Sequence, residues 1–188
     1  MGTQLRNEAQ VRRYLLPKMQ IAVDYILGKI YDLNQQKINE VVYAAYNPTE
    51  YERTYQFREA WNFSNSKASG IHVKGEFYYE PEEMEYIKEY GQHGTPEYLL
   101  PHTRFFSGGS TGSGRYYGDE RKYLAEVIYE GLAGNLFGFG PWCNKRDAWG
   151  ALIKALDGDL LASYFEDGCR KAGLNVKFNH SMGMGIKK

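Results

Sequence analysis

The chain has 188 residues, of which 43% are hydrophobic and 24% charged, so it is long enough for one domain with a buried core. Its 23 basic residues balance 23 acidic ones, which argues against the basic excess typical of nucleic-acid-binding domains. No apolar run is long enough to cross a bilayer, and the N-terminus lacks a signal-peptide core, so we expect synthesis in the cytoplasm and no membrane partner. Cys143 and Cys169 lack zinc-site spacing and are predicted to be free thiols.

Aromatic residues are the unusual part of the composition, at 15% of the chain with 17 tyrosines. Tyrosine combines an apolar ring with a polar hydroxyl, so it suits surfaces that are exposed to solvent until they bind a partner. The composition therefore fits either a tyrosine-rich core and rim or large protein–protein interfaces. Zero net charge adds little repulsion between copies, so self-association is unopposed.

The first long element is predicted to be an amphipathic helix. Proline costs roughly 3 kcal/mol inside a helix, so we expect the main helix to begin near Pro17 or to be kinked there, with 1–16 as an N-terminal arm or short helix. The helix should end before Asn47, because the residue ahead of Pro48 is pushed out of helical geometry. Its apolar face is predicted at Met19, Val23, Ile26, Ile30, Leu33, Ile38, Val41, Val42 and Ala45.

The next segments predict a β-hairpin. Residues 61–64 and 71–79 alternate apolar and polar side chains, and the Ser- and Gly-containing stretch 65–70 between them has turn chemistry. Residues 81–90 are acidic and fit either a short helix or an irregular loop. The fold class predicted from these elements is α+β, with the long N-terminal helix packed on a small antiparallel sheet.

The middle of the chain predicts a long irregular excursion over 80–117 that orders on a neighbouring subunit. Helices are expected again from Asp119, over 148–156 and around 160–169, with Gly173 as a C-cap. A strand over 174–178 and a flexible tail over 180–188 complete a single domain of residues 1–188. The candidate intersubunit residues in the excursion are Gly108, Gly109, Gly112, Gly114, Tyr116 and Tyr117.

No catalytic, metal-binding or cofactor-binding set is predicted. The glycine-rich stretch 108–114 lacks the Lys-Ser/Thr that follows in a phosphate-binding loop. Cys143 has no identifiable histidine partner for a nucleophilic role. The acidic stretch 80–85 could bind a cation, but a solvated acidic surface is the commoner case. Metal-site spacing is also absent among His72, His93, His102 and His180.

The most distinctive segment is 46–54 with its continuation to Trp61, which we call the joint because it connects the long helix to the strands. Its Asn-Pro-Thr sequence is typical of a turn, and Arg53 could pair with Glu50 or Glu52. A plain helix-to-strand connection with an exposed salt bridge explains these features, and such a bridge contributes little. The residues that define the joint are Tyr46, Pro48, Tyr51, Arg53, Thr54 and Trp61.

This joint resembles a helix–joint–strand pattern in the neck and tail-completion proteins of tailed bacteriophages. The match lies on Tyr46, Pro48, Tyr51, Arg53 and Thr54. The family's later helix and arginine would correspond to residues 123–131 and Arg146, whereas 80–117 and the segment after Leu156 depart from its pattern.

The resemblance implies a structural virion protein, made in the host cytoplasm, without catalysis or cofactors. It would form a homo-oligomeric ring of about six subunits, closed by rotation, that joins head to tail or terminates the tail tube. Its partners would be other copies of itself, head-closure or portal proteins and tail-tube proteins, with only passing contact with DNA in the pore.

Two other classes of function fit the composition. One is a small cytoplasmic enzyme or toxin with a site near the glycine-rich loop and His93/His102. The other is a monomeric tyrosine-rich module that binds a protein partner. Replacing both histidines should inactivate the enzyme, whereas a ring should still assemble.

Overall fold

The computed structural model describes residues 7–45, 55–84, 145–157 and 159–177, together with Ala125, Ile128 and Tyr129. In this part of the chain a long N-terminal helix, a small antiparallel β region and C-terminal helices confirm the α+β class. The helices are α1 (Glu8–Ile38), α2 (Gln56–Glu59), α3 (Ala148–Leu156) and α4 (Asp159–Lys171), and the strands are β1 (Trp61–Phe63), β2 (Lys67–Ser69), β3 (His72–Lys74) and β4 (Phe77–Tyr79).

Helix α1 begins nine residues earlier than the predicted start at Pro17, because a capping residue supports its first turn. The side-chain oxygen of Asn7 accepts a hydrogen bond of 2.9 Å from the backbone N–H of Gln10, which is the geometry of an N-cap. Glu8 and Arg12 add an ion pair one turn apart. Pro17 lies inside the helix at an exposed position, where water can satisfy the carbonyl that its missing N–H leaves free.

The C-terminal end of α1 widens into a π-helical turn over Asn39–Tyr43. The backbone N–H of Ala44 donates to the carbonyl of Asn39 at 2.8 Å, which closes this wider turn. Five positions of α1 and this turn are buried, and only Val42 and Ile38 belong to the predicted apolar face. The buried positions are Ala22, Leu27, Asn34, Ile38 and Val42.

The β-hairpin is present, but its turn lies further along the chain than predicted. Strand β2 pairs antiparallel with β3, and β1 with β4, so the reversal occurs at Gly70 and Ile71 rather than across 65–70. Gly70 has φ of 63°, a conformation that glycine adopts without steric cost. Ser66 is buried instead, with its N–H bonded to the Asp24 carboxylate at 2.7 Å and its hydroxyl to the Gln20 carbonyl at 3.1 Å.

The C-terminal helices follow the predicted segments. Helix α4 ends at Lys171 and is capped, as predicted, by Gly173, whose φ is 72°. The N–H of Gly173 donates to the carbonyl of Arg170 at 3.0 Å, and that of Leu174 to Cys169 at 2.8 Å. This pair of bonds is a Schellman motif. The strand predicted from Leu174 is wrong over the described residues 174–177, which have no regular secondary structure.

The chain divides into two compact units. The first contains α1 as far as Asn34, the segment Asn62–Tyr78 and the chain from Leu152; the second contains Gln35–Trp61 and Tyr79–Ala151. The prediction of a single domain over 1–188 is not decided by this division and stays a prediction. Among the described residues, no helix has the length and apolarity needed to cross a membrane.

Candidate functional site

The end of the long helix and the last part of the joint meet at a small polar and aromatic cluster in the second unit. The rings of Tyr43 and Tyr55 pack edge to face, with centroids 4.8 Å apart. The guanidinium of Arg58 lies 5.3 Å from the centroid of the Tyr55 ring and donates to the side-chain oxygen of Asn39 at 3.2 Å. We call these four residues, Asn39, Tyr43, Tyr55 and Arg58, the joint base.

The backbone on both sides of the joint base departs from regular geometry. Tyr55 has φ of 58°, the left-handed conformation that side-chain-bearing residues rarely adopt, at a cost on the order of 1 kcal/mol. On the other side, Asn39 and Tyr43 bound the π-helical turn. Such irregular backbone persists where surrounding contacts fix it, and it concentrates at functional sites.

A further hydrogen bond ties the joint base to α1. The side-chain amide of Gln35 donates to the backbone carbonyl of Arg58 at 2.8 Å. The backbone carbonyl of Arg58 therefore contacts α1, and its side chain contacts both Asn39 and Tyr55. The joint base holds the end of the long helix next to the short helix α2 that leads into strand β1.

Most of the predicted site residues lie outside the described part of the chain. This applies to Tyr46, Pro48, Tyr51, Arg53 and Thr54 of the joint, whose roles stay predictions. It applies equally to the enzyme alternative at His93 and His102, and to Gly108, Gly109, Gly112, Gly114, Tyr116 and Tyr117 of the candidate intersubunit loop.

Trp61 is described, and it lies at the centre of an aromatic cluster in the second unit. Its side chain is 6% exposed. Its ring centroid is 5.5 Å from that of Trp149, 5.3 Å from Tyr79 and 6.4 Å from Tyr129. Phe57 completes the cluster at 5.9 Å from both tyrosines. Trp61 therefore anchors the start of β1 by packing, at the end of the joint.

The hydroxyl of Tyr129 is the polar group buried in this aromatic cluster. It has no hydrogen-bond partner among the residues that the structure describes. Burial, and then the negative charges that Tyr79 and Asp147 carry when ionised, raise the pKa of Tyr129 well above its ordinary value. The side chain is neutral at physiological pH, and its ring packs against Phe57 and Trp61.

Sequence patterns did not point to the joint base, because its members belong to different elements. Asn39 and Tyr43 lie on the polar side of a helical pattern, and Arg58 is one of many charged residues. The feature of the sequence that did point to this region was the group of tyrosines on both sides of the predicted turn at Pro48. The sequence does not indicate the left-handed conformation of Tyr55, since glycine is the residue usually expected in that conformation.

The described residues contain no group of three or more His, Cys, Asp or Glu side chains placed to hold a metal ion. His72, the histidine that is described, lies exposed on β3. Comparison with known proteins gave no matching family model, no matching curated protein and no matching solved structure. The function proposed for this chain therefore depends on its own sequence and geometry.

Proposed function

We propose that the chain is a structural protein of a tailed-phage virion, forming a ring in the neck that joins head to tail or terminates the tail tube. The observation that carries this proposal is the joint base. A long helix, the contacts of Tyr55 with Tyr43 and Arg58, and a short strand follow one another in the described part of the chain. The resemblance of the joint sequence to neck and tail-completion proteins implies the same order of elements.

The proposed ring consists of copies of this chain, about six of them, related by rotation. Head-closure or portal proteins on one side and tail-tube proteins on the other would be its neighbours, and DNA would pass through its pore. Balanced charge supports this role, because a strongly basic pore would retain the DNA that must move through it. Tyrosine-rich surfaces suit the repeated protein contacts of such an assembly.

The joint has a defined task in this proposal, which is to fix the angle between the long helix and the sheet. Arg53→Ala and Arg58→Ala test this task. Arg58→Ala removes a hydrogen bond and a cation–π contact and should lower the free energy of unfolding by about 1–2 kcal/mol. Arg53→Ala should also destabilise the monomer and impair assembly. Unchanged melting temperature and assembly in both variants would contradict the task assigned to the joint.

Negative-stain electron microscopy tests the proposed function itself. Concentrated protein should show rings with a central hole, alone or on addition of tail-tube protein. The variant His93→Ala/His102→Ala serves as a control, because it should form the same rings. Particles without a central hole under both conditions would contradict the ring and favour the enzyme or the binding module.

A further inference from the structure

The ribbon formed by β2 and β3 carries positive charge on one face. Lys67 pairs with Lys74 across the ribbon, and Ser69 pairs with His72. Because side chains alternate between the faces of a strand, these four side chains share one face. All four residues are exposed. We call this surface the basic ribbon face.

The other side of the ribbon contacts the rest of the first unit. Val73, which pairs with Ala68, lines a groove of about 340 Å³ together with Ile71 and side chains of α1 and α4, among them Leu15 and Phe165. The basic ribbon face therefore points away from these helices and toward solvent.

The pairing of Lys67 with Lys74 leaves two positive charges side by side. Directly opposed residues of an antiparallel pair have Cβ atoms about 5 Å apart, and like charges at that spacing destabilise the pairing. Neither lysine forms an ion pair with a carboxylate in the part of the chain that the structure describes. A carboxylate supplied by a partner would relieve the repulsion between the two lysines.

A surface of opposite charge lies in the second unit of the same chain. The 3-10 turn Pro81–Glu83 exposes the carboxylates of Glu82 and Glu83, and we call this surface the acidic turn. Residues 65–75 include no acidic residue, and residues 80–85 include no basic one. The basic ribbon face and the acidic turn therefore carry opposite charges.

We propose that the basic ribbon face of one copy docks on the acidic turn of a second copy. This inference rests on the proposed ring, since a contact between two different surfaces is head-to-tail and forms a ring when the rotation between copies closes. Nucleic acid is the less suitable partner, because a neutral chain lacks the basic excess that phosphate binding requires.

Charge reversal tests the contact by complementation. Lys67→Glu/Lys74→Glu makes both surfaces acidic, and Glu82→Lys/Glu83→Lys makes both basic, so each variant alone should lose assembly. Mixing the two should restore it as alternating copies. Arg13→Glu/Lys177→Glu is the matched control, because both residues are exposed and the change in net charge equals that of the lysine pair. Assembly of either reversed variant alone would overturn the inference.

Disulfide cross-linking separates this inference from the proposed function. In a Cys143→Ser background, Lys74→Cys mixed with Glu83→Cys should form the mixed disulfide dimer in excess over either homodimer on mild oxidation. Rings without this cross-link would overturn the inference and leave the proposed function intact. The cross-link without rings would support the contact and contradict the ring. If neither forms, or if the ribbon lysines prove necessary for retention on duplex DNA, the inference is wrong.

Discussion

The indole rings of Trp61 and Trp149 stack nearly parallel, with centroids 5.5 Å apart and an interplanar angle of 16°. Trp61 is buried, whereas Trp149 is 37% exposed. One indole therefore fills the aromatic cluster, and the other covers it at the surface. This arrangement gives the second unit an aromatic core at the end of the joint.

The unequal burial of the two indoles predicts unequal costs of truncation. Trp61→Ala should lower the free energy of unfolding by about 3–5 kcal/mol, because it leaves a cavity among three other rings. Trp149→Ala should cost about 1 kcal/mol, the contribution of a partly exposed aromatic pair. Chemical denaturation of both variants measures the difference, and equal costs would contradict the packing described here.

Gly168 lies where α4 packs closely against α1. A Cβ atom there would lie 2.8 Å from the backbone oxygen of Ala22 and 3.2 Å from its Cα, and a backbone cannot move aside as a side chain can. Gly168→Ala should therefore lower stability by about 1–3 kcal/mol. Thermal unfolding gives the measurement.

Gly28 is the matched control for Gly168, because it lies within α1 and a Cβ atom there meets nothing within 4 Å. Gly28→Ala should raise stability by about 0.5–1 kcal/mol, since alanine restricts the unfolded chain and favours the helix. If both substitutions shifted the melting temperature in the same direction, the packing of α4 on α1 would be wrong.

Tyr129 predicts a loss of stability at alkaline pH. Because burial raises the pKa of Tyr129 in the folded state, the folded chain retains a proton that the unfolded chain releases above about pH 10. The contribution of Tyr129 to the free energy of unfolding is fully present below that pH and is lost as the pH rises further. The variant Tyr129→Phe should show a shallower alkaline loss in the free energy of unfolding.

The same variant should be at least as stable as the parent at neutral pH, because it removes a buried hydroxyl that no described residue hydrogen-bonds. Urea titrations at neutral and alkaline pH measure both effects. A Tyr129→Phe variant that is strongly destabilised at neutral pH would show that the hydroxyl has a partner.

Cys169 is predicted to be unreactive in the folded protein. It is a fully buried free thiol on α4, and burial raises the pKa of that thiol. In a Cys143→Ser background, a thiol-specific chromogenic reagent should react with the denatured chain and not with the native one. Rapid reaction of the native chain would contradict the burial of Cys169.

The regular elements could be predicted from the sequence because their signals are local. The repeat of Leu160, Leu161, Tyr164, Phe165 and Cys169, followed by Gly173, indicated both α4 and its C-cap. The start of α1 at Glu8 was missed because proline is costly on average, and the exposed position of Pro17 reduces that cost.

Long-range contacts explain the remaining differences. Ser66 looked like a turn residue, but its N–H donates to the Asp24 carboxylate and its hydroxyl donates to the Gln20 carbonyl. These bonds hold Ser66 against α1, and the reversal moves to Gly70. The joint base could not be predicted either, since the contact of Tyr43 with Tyr55 depends on a π-helical turn and a left-handed residue. Neither feature has a sequence signal of its own.

The proposed ring is tested most directly by the molar mass in solution, measured by multi-angle light scattering over a wide concentration range at low and moderate salt. A ring predicts a mass that rises with concentration to a plateau at about six chains. The mass does not increase beyond the plateau, because in a closed ring both contact surfaces of every copy are occupied. The mass of a single chain at every concentration, if it persists when tail-tube protein is added, or a mass that grows without a plateau, would contradict the account.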